Sequence, residues 1–188
     1  GSTNEIGVFE MQGSGLRGVA NPSELFLAER AQTTPGSAIA ASLEGTRPIL
    51  VEVQALVSST SLALPRRTAI GLDPNRVSLL VAILEKRAGF RLYDQDVYVN
   101  IAGGLRLSEP AVDLAVIAAL ISSHSAVPLD ASSVFFGEVG LGGEVRSVPR
   151  ADVRIKEAER IGLKAAYVPK KVAKELRDFK SIELIPID

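Results

Sequence analysis

A long apolar stretch near the middle of the chain sets the strongest constraint on its fold. Residues 114–121 read LAVIAALI, without a polar side chain. Ser108 and Pro110 stand before this stretch with the residue types of a helix start, so Ser108 is predicted to cap a helix that runs to about Ser123. A helix that is apolar on nearly all sides must be buried on nearly all sides. We therefore expect it to be the central element of one core.

Shorter patterns of both kinds alternate along the rest of the chain. Alternating or continuous apolar runs predict strands at 37–43, 48–57, 66–72, 90–92, 96–101, 134–138, 144–148, 165–168 and 182–185. Start and stop residues predict further helices from Asp73-Pro74 to Gly89, from Arg150 to Ile161 before Gly162, and from Pro169. Glu44-Gly45 is predicted to be the turn of a hairpin. Helices and strands over one core predict an α+β class, with an α/β-type mixed sheet and flanking helices.

Composition excludes several kinds of site. The chain has 188 residues, enough for one full-sized core. It has no cysteine, which excludes disulfides, thiolate zinc sites and a cysteine nucleophile, and its one histidine disfavours a histidine-rich metal site. No apolar run reaches the roughly 18 residues of a membrane span. The formal net charge of -1 gives no overall attraction to nucleic acid, so any such binding needs local clusters of arginine.

The first part of the chain differs from the rest. Residues 3–32 are rich in Gly, Ser and Asn and are predicted to be a connecting segment with one or two short strands and a helical turn near residues 22–27. Gly1-Ser2 is interpreted as an expression scar, and the chain as a fragment of a longer protein. The turn residues at 32–36 mark the boundary. We therefore divide the chain into a linker at 1–32 and a globular domain at 33–188.

The centre of the chain carries the pattern of a Ser–Lys hydrolase. Such an enzyme places a serine at the start of a buried helix, where backbone N–H groups stabilise an oxyanion, and a partly desolvated lysine accepts the serine proton. Residues 95–170 resemble the Lon-type serine peptidases, whose serine follows Gly-Pro. Pro110 matches the family proline, residues 137–143 (GEVGLGG) match the Gly-Glu strand and turn, and residues 167–169 match the next strand-to-helix step. The resemblance implies a fold like the Lon proteolytic domain, of the type of ribosomal protein S5 domain 2.

The two catalytic positions of that pattern are changed. Ala111 falls on the serine and has no nucleophile, and Arg154 falls on the lysine and stays protonated. We therefore predict no catalytic residues in this chain, with Ala111 and Arg154 as degenerate positions. Ser108 is the remaining candidate nucleophile, although the role of an N-cap suits it better. The Gly103-Gly104 and Gly142-Gly143 pairs have no phosphate-loop spacing, so we predict no cofactor-binding or metal site.

Arginine is the other signal in the sequence. Its planar fork suits phosphate contacts, and several arginines are predicted at element ends or in loops. The cations concerned are Arg66, Arg67, Arg76, Lys86, Arg87, Arg106, Arg146, Arg150 and Arg154. The preferred DNA-binding candidates are Arg66, Arg67, Arg76, Arg87 and Arg106, followed by Arg150 and Arg154. The alternative is a solvated surface with scattered ion pairs.

A narrower resemblance covers almost the whole chain. The stretches that carry it are NEIGVFEM at 4–11, NPS at 21–23, PRR at 65–67, GLD at 71–73, NR at 75–76, LEKR at 84–87, Asn100 with Gly103-Gly104, and EPAVDL at 109–114. They resemble the C-terminal part of the proteins of the RadA (Sms) family, which are bacterial DNA-repair ATPases. In that family a zinc module and a RecA-like ATPase precede a Lon-like domain, and residues 4–11 resemble the end of the ATPase part.

That resemblance implies a function for the fragment. It implies a non-catalytic domain in a homohexameric ring, bound to single-stranded or branched DNA without sequence preference. ATP with Mg and a structural zinc would be held by the preceding parts, and the whole protein would drive branch migration in the bacterial cytoplasm, associated with the nucleoid. No membrane partner is expected. The alternatives are an assembly scaffold without DNA contact and, more remotely, a cryptic serine peptidase.

Overall fold

The computed structural model describes residues 7–30 and 33–188. Its strands are β1 Phe9–Gln12, β2 Gly15–Gly18, β3 Ser37–Glu44, β4 Arg47–Ser59, β5 Arg67–Ile70, β6 Gln95–Ile101, β7 Ser133–Phe135, β8 Glu138–Val139, β9 Val145–Arg146, β10 Ala165–Pro169 and β11 Glu183–Ile187. Its α-helices are α1 Pro22–Leu27, α2 Pro74–Ala88, α3 Asp113–Ser125, α4 Ala151–Ile161 and α5 Lys170–Glu175. Two 3₁₀ turns lie at Ala102–Gly104 and Pro110–Val112.

A seven-stranded mixed sheet organises the molecule, in the order β11-β10-β7-β3-β4-β6-β5. The strands from β11 to β3 are parallel to their neighbours, β4 is antiparallel to β3 and β6, and β5 is parallel to β6. The predicted hairpin is confirmed as β3 and β4, with Glu44 opposite Arg47. The mixed sheet and its helices also confirm the coarse fold class, a mixed α/β architecture.

Apolar cores lie on both faces of this sheet. On β3, Ala38 and Ala40 face α2 and α3, whereas Ile39 and Ala41 face α4 and α5. This alternation follows from the two-residue period of a strand. The helix α1 lies on the second face and contacts β4. The sheet is therefore covered by helices from both sides, and β3 is buried throughout most of its length.

The predicted central helix is α3. Ala115, Ala119 and Leu120 are fully buried, and α3 packs on β3, β4 and α2. Its small side chains let the helix lie close to the sheet. At its end, Ser122 Oγ accepts the Gly36 N–H at 2.9 Å and donates to the Val127 carbonyl at 2.6 Å. The serines at this end of α3 therefore bond backbone groups and lie far from the helix start.

Several predicted boundaries are confirmed by the geometry of the caps. The side chain of Asp73 accepts the Asn75 N–H at 2.9 Å at the start of α2, and Gly89 ends α2 in the left-handed conformation. Gly162 ends α4 in the same way. These caps depend on neighbouring residues only, which explains why the sequence predicts them well.

Other predictions need correction. Residues 90–92 form no strand, because their loop instead supplies the Leu92 carbonyl to the Arg67 guanidinium. Ser108 does not cap a helix. Glu109 is the residue before the 3₁₀ turn, and Val112 is the residue before α3. Neither of these residues forms a side-chain capping hydrogen bond. The predicted strand at 134–138 is divided, since β7 belongs to the main sheet and β8 pairs with β9 in a separate hairpin.

The early segment has the predicted elements but is not entirely a linker. The strands β1 and β2 form an exposed hairpin, and α1 follows at Pro22. Ser23 is buried, and its hydroxyl accepts the Leu50 N–H at 2.9 Å, so α1 is packed on the globular body. The assignments of Gly1-Ser2, of residues 4–6 and of Gln32 in the turn cluster lie outside the described residues.

Candidate functional site

The start of α3 holds Ala111, the residue that the sequence resemblance aligns with the serine of a Lon-type peptidase. Ala111 lies in the 3₁₀ turn before the helix, and its side chain is buried. Its carbonyl accepts the Gly137 N–H at 2.9 Å, and the Leu114 N–H donates to the Gly137 carbonyl at 3.1 Å. A methyl group fits this closed position, whereas a serine hydroxyl there would need a buried hydrogen-bond partner.

Arg154, on α4, is the largest fully buried side chain of the described residues. Its Nη1 donates to the Ala41 carbonyl at 2.8 Å, and its Nε donates to the Pro149 carbonyl at 3.0 Å. Its Nη2 forms an ion pair with the Glu109 carboxylate. The guanidinium also lies 6.0 Å from the centre of the Phe136 ring. All three guanidinium nitrogens thus have internal partners.

This burial corrects one of the candidate DNA contacts. The Arg154 side chain is 0% exposed, so a phosphate on the surface cannot reach it without opening the core. The carboxylate partner and the two carbonyls match the charge and the donors of this cation, so removing any one partner leaves a polar group unpaired. Arg154 is therefore removed from the DNA-binding set.

Glu109 is the residue that the sequence analysis missed. One oxygen of its carboxylate pairs with Arg154, and the other accepts the Leu43 N–H at 2.8 Å and the Ser42 hydroxyl at 3.3 Å. A usable signal was present, because the Lon pattern has glycine before the proline where this chain has Glu109. The acidic residue and the arginine are both departures from that pattern, and they bond to each other.

The negative charge of Glu109 also acts on a second carboxylate, that of Glu44. Burial raises the pKa of Glu44 above its ordinary value, and the negative charge of Glu109 raises it further. Glu44 ends β3, only one residue beyond the Leu43 N–H that Glu109 accepts. The two carboxylates, Glu44 and Glu109, therefore lie close enough for their charges to repel.

Asp113 forms a second ion pair, with Arg76 of α2. The Asp113 carboxylate is buried, accepts the Arg76 Nε–H at 2.9 Å and pairs with Arg76 Nη2. It also accepts the Val139 N–H at 3.0 Å, and Arg76 Nη2 donates to the Val139 carbonyl at 3.2 Å. The hydrogen bond to Asp113 raises the pKa of Arg76. Asp113 therefore bonds both the Arg76 side chain and the backbone of β8.

A cavity of about 390 Å³ opens between the start of α2 and the segment that leads to α3. Arg76, Arg106, Ser108 and Asp73 are among its polar lining residues. Gly71 forms part of its wall with a φ of +84°, and a Cβ atom there would lie 2.5 Å from the Leu105 carbonyl oxygen. The cavity brings two of the predicted arginines together, and Arg106 is the more exposed of them.

Arg66 and Arg67 lie at the opposite end of β5 from this cavity. The guanidinium of Arg67 donates to the Gln95 carbonyl and, at 2.9 Å, to the Leu92 carbonyl. It therefore holds the loop before β6 and has a structural role. Arg66 is exposed, and its backbone N–H donates to the Asp96 carboxylate at 2.7 Å.

The remaining candidates are on separate parts of the surface. Arg87 is exposed near the end of α2, and its Nε donates to the Leu141 carbonyl at 3.2 Å. Arg150 is exposed at the start of α4, with a φ of 57° that is uncommon for a residue with a side chain. The structure therefore brings Arg76 and Arg106 together, but it does not gather the predicted arginines into one cluster.

Two further properties concern residues 7–30 and 33–188. No group of three or more carboxylate or imidazole side chains in these ranges is placed to hold a metal ion. None of the helices in the same ranges has both the length and the apolar character needed to cross a membrane.

Comparison with known proteins identifies the relatives of this chain. Residues 52–172 match a family described as subunit ChlI of Mg-chelatase. The chain is 56% identical over 169 residues to DNA repair protein RadA of Bacillus subtilis, covering 90% of this chain and 37% of that protein. It is 48% identical over 188 residues to DNA repair protein RadA of Listeria monocytogenes, covering 100% of this chain and 41% of that protein.

A third relative gives the same picture. DNA repair protein RadA of Streptococcus pneumoniae is 51% identical over 187 residues, which cover 100% of this chain and 44% of that protein. The chain thus spans about two fifths of the length of these curated relatives. The chain belongs to the family described as subunit ChlI of Mg-chelatase, and it is homologous over most of its length to proteins named DNA repair protein RadA.

Proposed function

We propose that this chain is a non-catalytic, Lon-like module of a DNA repair protein, which binds DNA without sequence preference and assembles into a homohexameric ring. The observation that carries the proposal is the ion pair between the fully buried Arg154 and the half-buried Glu109, which stands two residues before Ala111 in the chain. Both changed positions of the Ser–Lys pattern are built into the packing of the chain. The names of the relatives support a role in DNA repair.

The chemistry of this site argues against peptidase activity. A Ser–Lys mechanism needs a hydroxyl nucleophile and a neutral amine that accepts its proton. Ala111 supplies no hydroxyl, and the Arg154 guanidinium stays protonated beside the Glu109 carboxylate. Ser108 lies on the exposed lining of the cavity, three residues before Ala111, and no imidazole or lysine lines that cavity with it.

The DNA-binding part of the proposal depends on the exposed arginines. Arg66, Arg87, Arg106 and Arg150 are exposed, whereas Arg67 and Arg76 bond backbone or carboxylate groups that the fold needs. Arginine contacts to phosphates give affinity without sequence preference and make binding fall with salt. The structure thus favours a smaller set of phosphate contacts than the sequence alone suggests.

A salt titration tests this part. The affinity of the chain for a fluorescent single-stranded oligonucleotide is measured at several salt concentrations, with and without Arg66→Ala, Arg106→Ala and Arg150→Ala together. Each lost phosphate contact lowers the salt slope by about 0.7, so the triple variant should lose about two units. The control is Lys164→Ala, Lys174→Ala and Lys180→Ala, which removes the same charge from other exposed positions. Equal slopes for the two triple variants would contradict the assignment.

The ring and the whole-protein activity belong to the same proposal. Light scattering of the chain should give a mass near six times that of one copy. If a ring forms and no DNA binds at moderate salt, the scaffold alternative is correct instead. We also propose that the longer protein is a DNA-dependent ATPase that drives branch migration, with ATP, Mg and zinc bound outside this chain.

A further inference from the structure

The hairpin of β8 and β9 stands apart from the main sheet and ends in a tight turn. The two strands pair with Glu138 opposite Arg146. At the turn, the Gly140 N–H donates to the Glu144 carbonyl and the Gly143 N–H to the Gly140 carbonyl, each at 2.9 Å. The turn is therefore closed by its own backbone bonds and has a defined shape.

Side chains of α2 and α3 form hydrogen bonds to the backbone of this hairpin. Asp113 accepts the Val139 N–H, and Arg76 donates to the Val139 carbonyl. Arg87 donates to the Leu141 carbonyl, at the turn itself. Gly143 has a φ of +85°, and a Cβ atom there would lie 3.2 Å from the Arg87 Cβ, so glycine lets α2 approach this closely. The contacts with α2 and α3 thus fix the position of the turn.

A single apolar side chain projects at this turn. Leu141 lies between two glycines, and its side chain is 68% exposed. Its backbone carbonyl accepts a hydrogen bond from Arg87. Three exposed cations belong to the elements that carry or contact the turn: Lys86 and Arg87 lie in the last turn of α2, and Arg146 lies on β9 with a side chain that is 66% exposed. The carboxylate of Glu144 lies 3.7 Å from Arg146 and offsets part of this charge.

We infer that Leu141 is a wedge that inserts between neighbouring bases of DNA at a junction or single-stranded region, while Lys86, Arg87 and Arg146 contact the flanking phosphates. This inference rests on the proposed function and names the contact that would separate bases. Apolar side chains that enter a base step unstack it, and nearby cations stabilise the distorted backbone. An exposed leucine whose backbone is bonded by an exposed arginine fits a polyanion with apolar base faces better than it fits an apolar protein surface.

The test uses the 188-residue chain and a forked DNA duplex that carries the fluorescent base 2-aminopurine at the fork. Fluorescence of this base rises when it loses its stacking neighbours. Leu141→Ser removes the wedge, Leu141→Met keeps an apolar side chain, and Leu64→Ser is the matched control, because Leu64 is 82% exposed in the loop between β4 and β5. Affinity, salt slope, 2-aminopurine fluorescence and molar mass are measured for each.

The parent chain, Leu141→Met and Leu64→Ser should all raise the fluorescence. Leu141→Ser should lose that rise and bind roughly 10-fold more weakly, as expected when burial of one leucine is lost. Its salt slope should stay unchanged, because no charge is removed.

Three outcomes overturn the inference. If Leu141→Ser binds and unstacks DNA as the parent does, Leu141 is no wedge although the proposed function stands. If Leu141→Ser instead lowers the molar mass of the assembly, Leu141 is a contact between copies. If the parent chain binds no DNA at low salt, the DNA-binding part of the proposed function and this inference fail together.

Discussion

Replacing either partner of the Arg154–Glu109 pair should destabilise the chain strongly. In Glu109→Gln the amide carbonyl still accepts the Leu43 N–H, but Arg154 stays as a cation with 0% exposure and no counter-ion. In Arg154→Met the Glu109 carboxylate loses its partner, and the Ala41 and Pro149 carbonyls lose their donors. Removing one member of a fully buried pair costs about 3–5 kcal/mol of unfolding free energy, and the 21% exposure of Glu109 places this pair at the lower end of that range. For a domain of this size, that corresponds to roughly 6–20 °C in Tm.

The two changes should also fail to add. The double variant Glu109→Gln/Arg154→Met leaves no unpaired charge, so we expect it to be more stable than the sum of the single variants by about 1–3 kcal/mol. Urea denaturation followed by circular dichroism measures all four proteins. The control cycle uses Lys171 and Glu175, an exposed pair at 3.9 Å, where the coupling should be at most about 0.5 kcal/mol.

Two results would refute this reasoning. One is a loss below about 1 kcal/mol for each single variant, the size expected for an exposed pair. The other is strict additivity in the double variant, since independent sites add and contacting charges do not. Either would mean that the pair is solvated in solution and that Arg154 is free for other contacts.

Three further predictions follow from the same structure. Ala111→Ser with Arg154→Lys should leave casein hydrolysis at background, because Glu109 would keep the new lysine protonated; dye release that needs both changes would contradict this. The raised pKa of Glu44 means that its contribution to stability is present below the ordinary value of 4.5 and is lost as pH rises through the folded-state pKa. Glu44→Gln should therefore stabilise the chain at pH 7 and lose that advantage near pH 4, as measured by urea midpoints. Leu120→Ala, at a fully buried position of α3, should cost about 2–5 kcal/mol in the same assay.

Local sequence rules predicted much of the secondary structure. The Asp73 cap, the Gly89 stop and the β3–β4 hairpin depend on residues that are close together in the chain. The all-round apolar character of residues 114–121 correctly placed α3 at the centre. Such features can be read from one sequence because each is decided by a few neighbouring residues or by a simple period.

The pairing of charges could not be predicted in this way. Arg154 and Glu109 are far apart in the sequence, and so are Arg76 and Asp113, yet each pair meets in the folded chain. The residue type of an arginine predicts an exposed side chain. Arg154 is buried because of the residues that surround it in the folded chain. Glu109 was overlooked for the same reason, because its role depends on a helix more than forty residues later.

The sequence by itself determined the central helix and the class of fold, because side-chain chemistry and apolar period are properties of the chain. It also predicted that Ala111 and Arg154 replace the two catalytic residues of a Ser–Lys pattern. The tertiary structure decided which arginines are available, because exposure depends on packing. It buried Arg154 against Glu109, used Arg67 and Arg76 to hold loops, and left Arg66, Arg87, Arg106 and Arg150 exposed. The tertiary structure also placed Leu141 on a hairpin turn that contacts α2. The sequence could not predict this contact, because Arg87 and Leu141 are 54 positions apart.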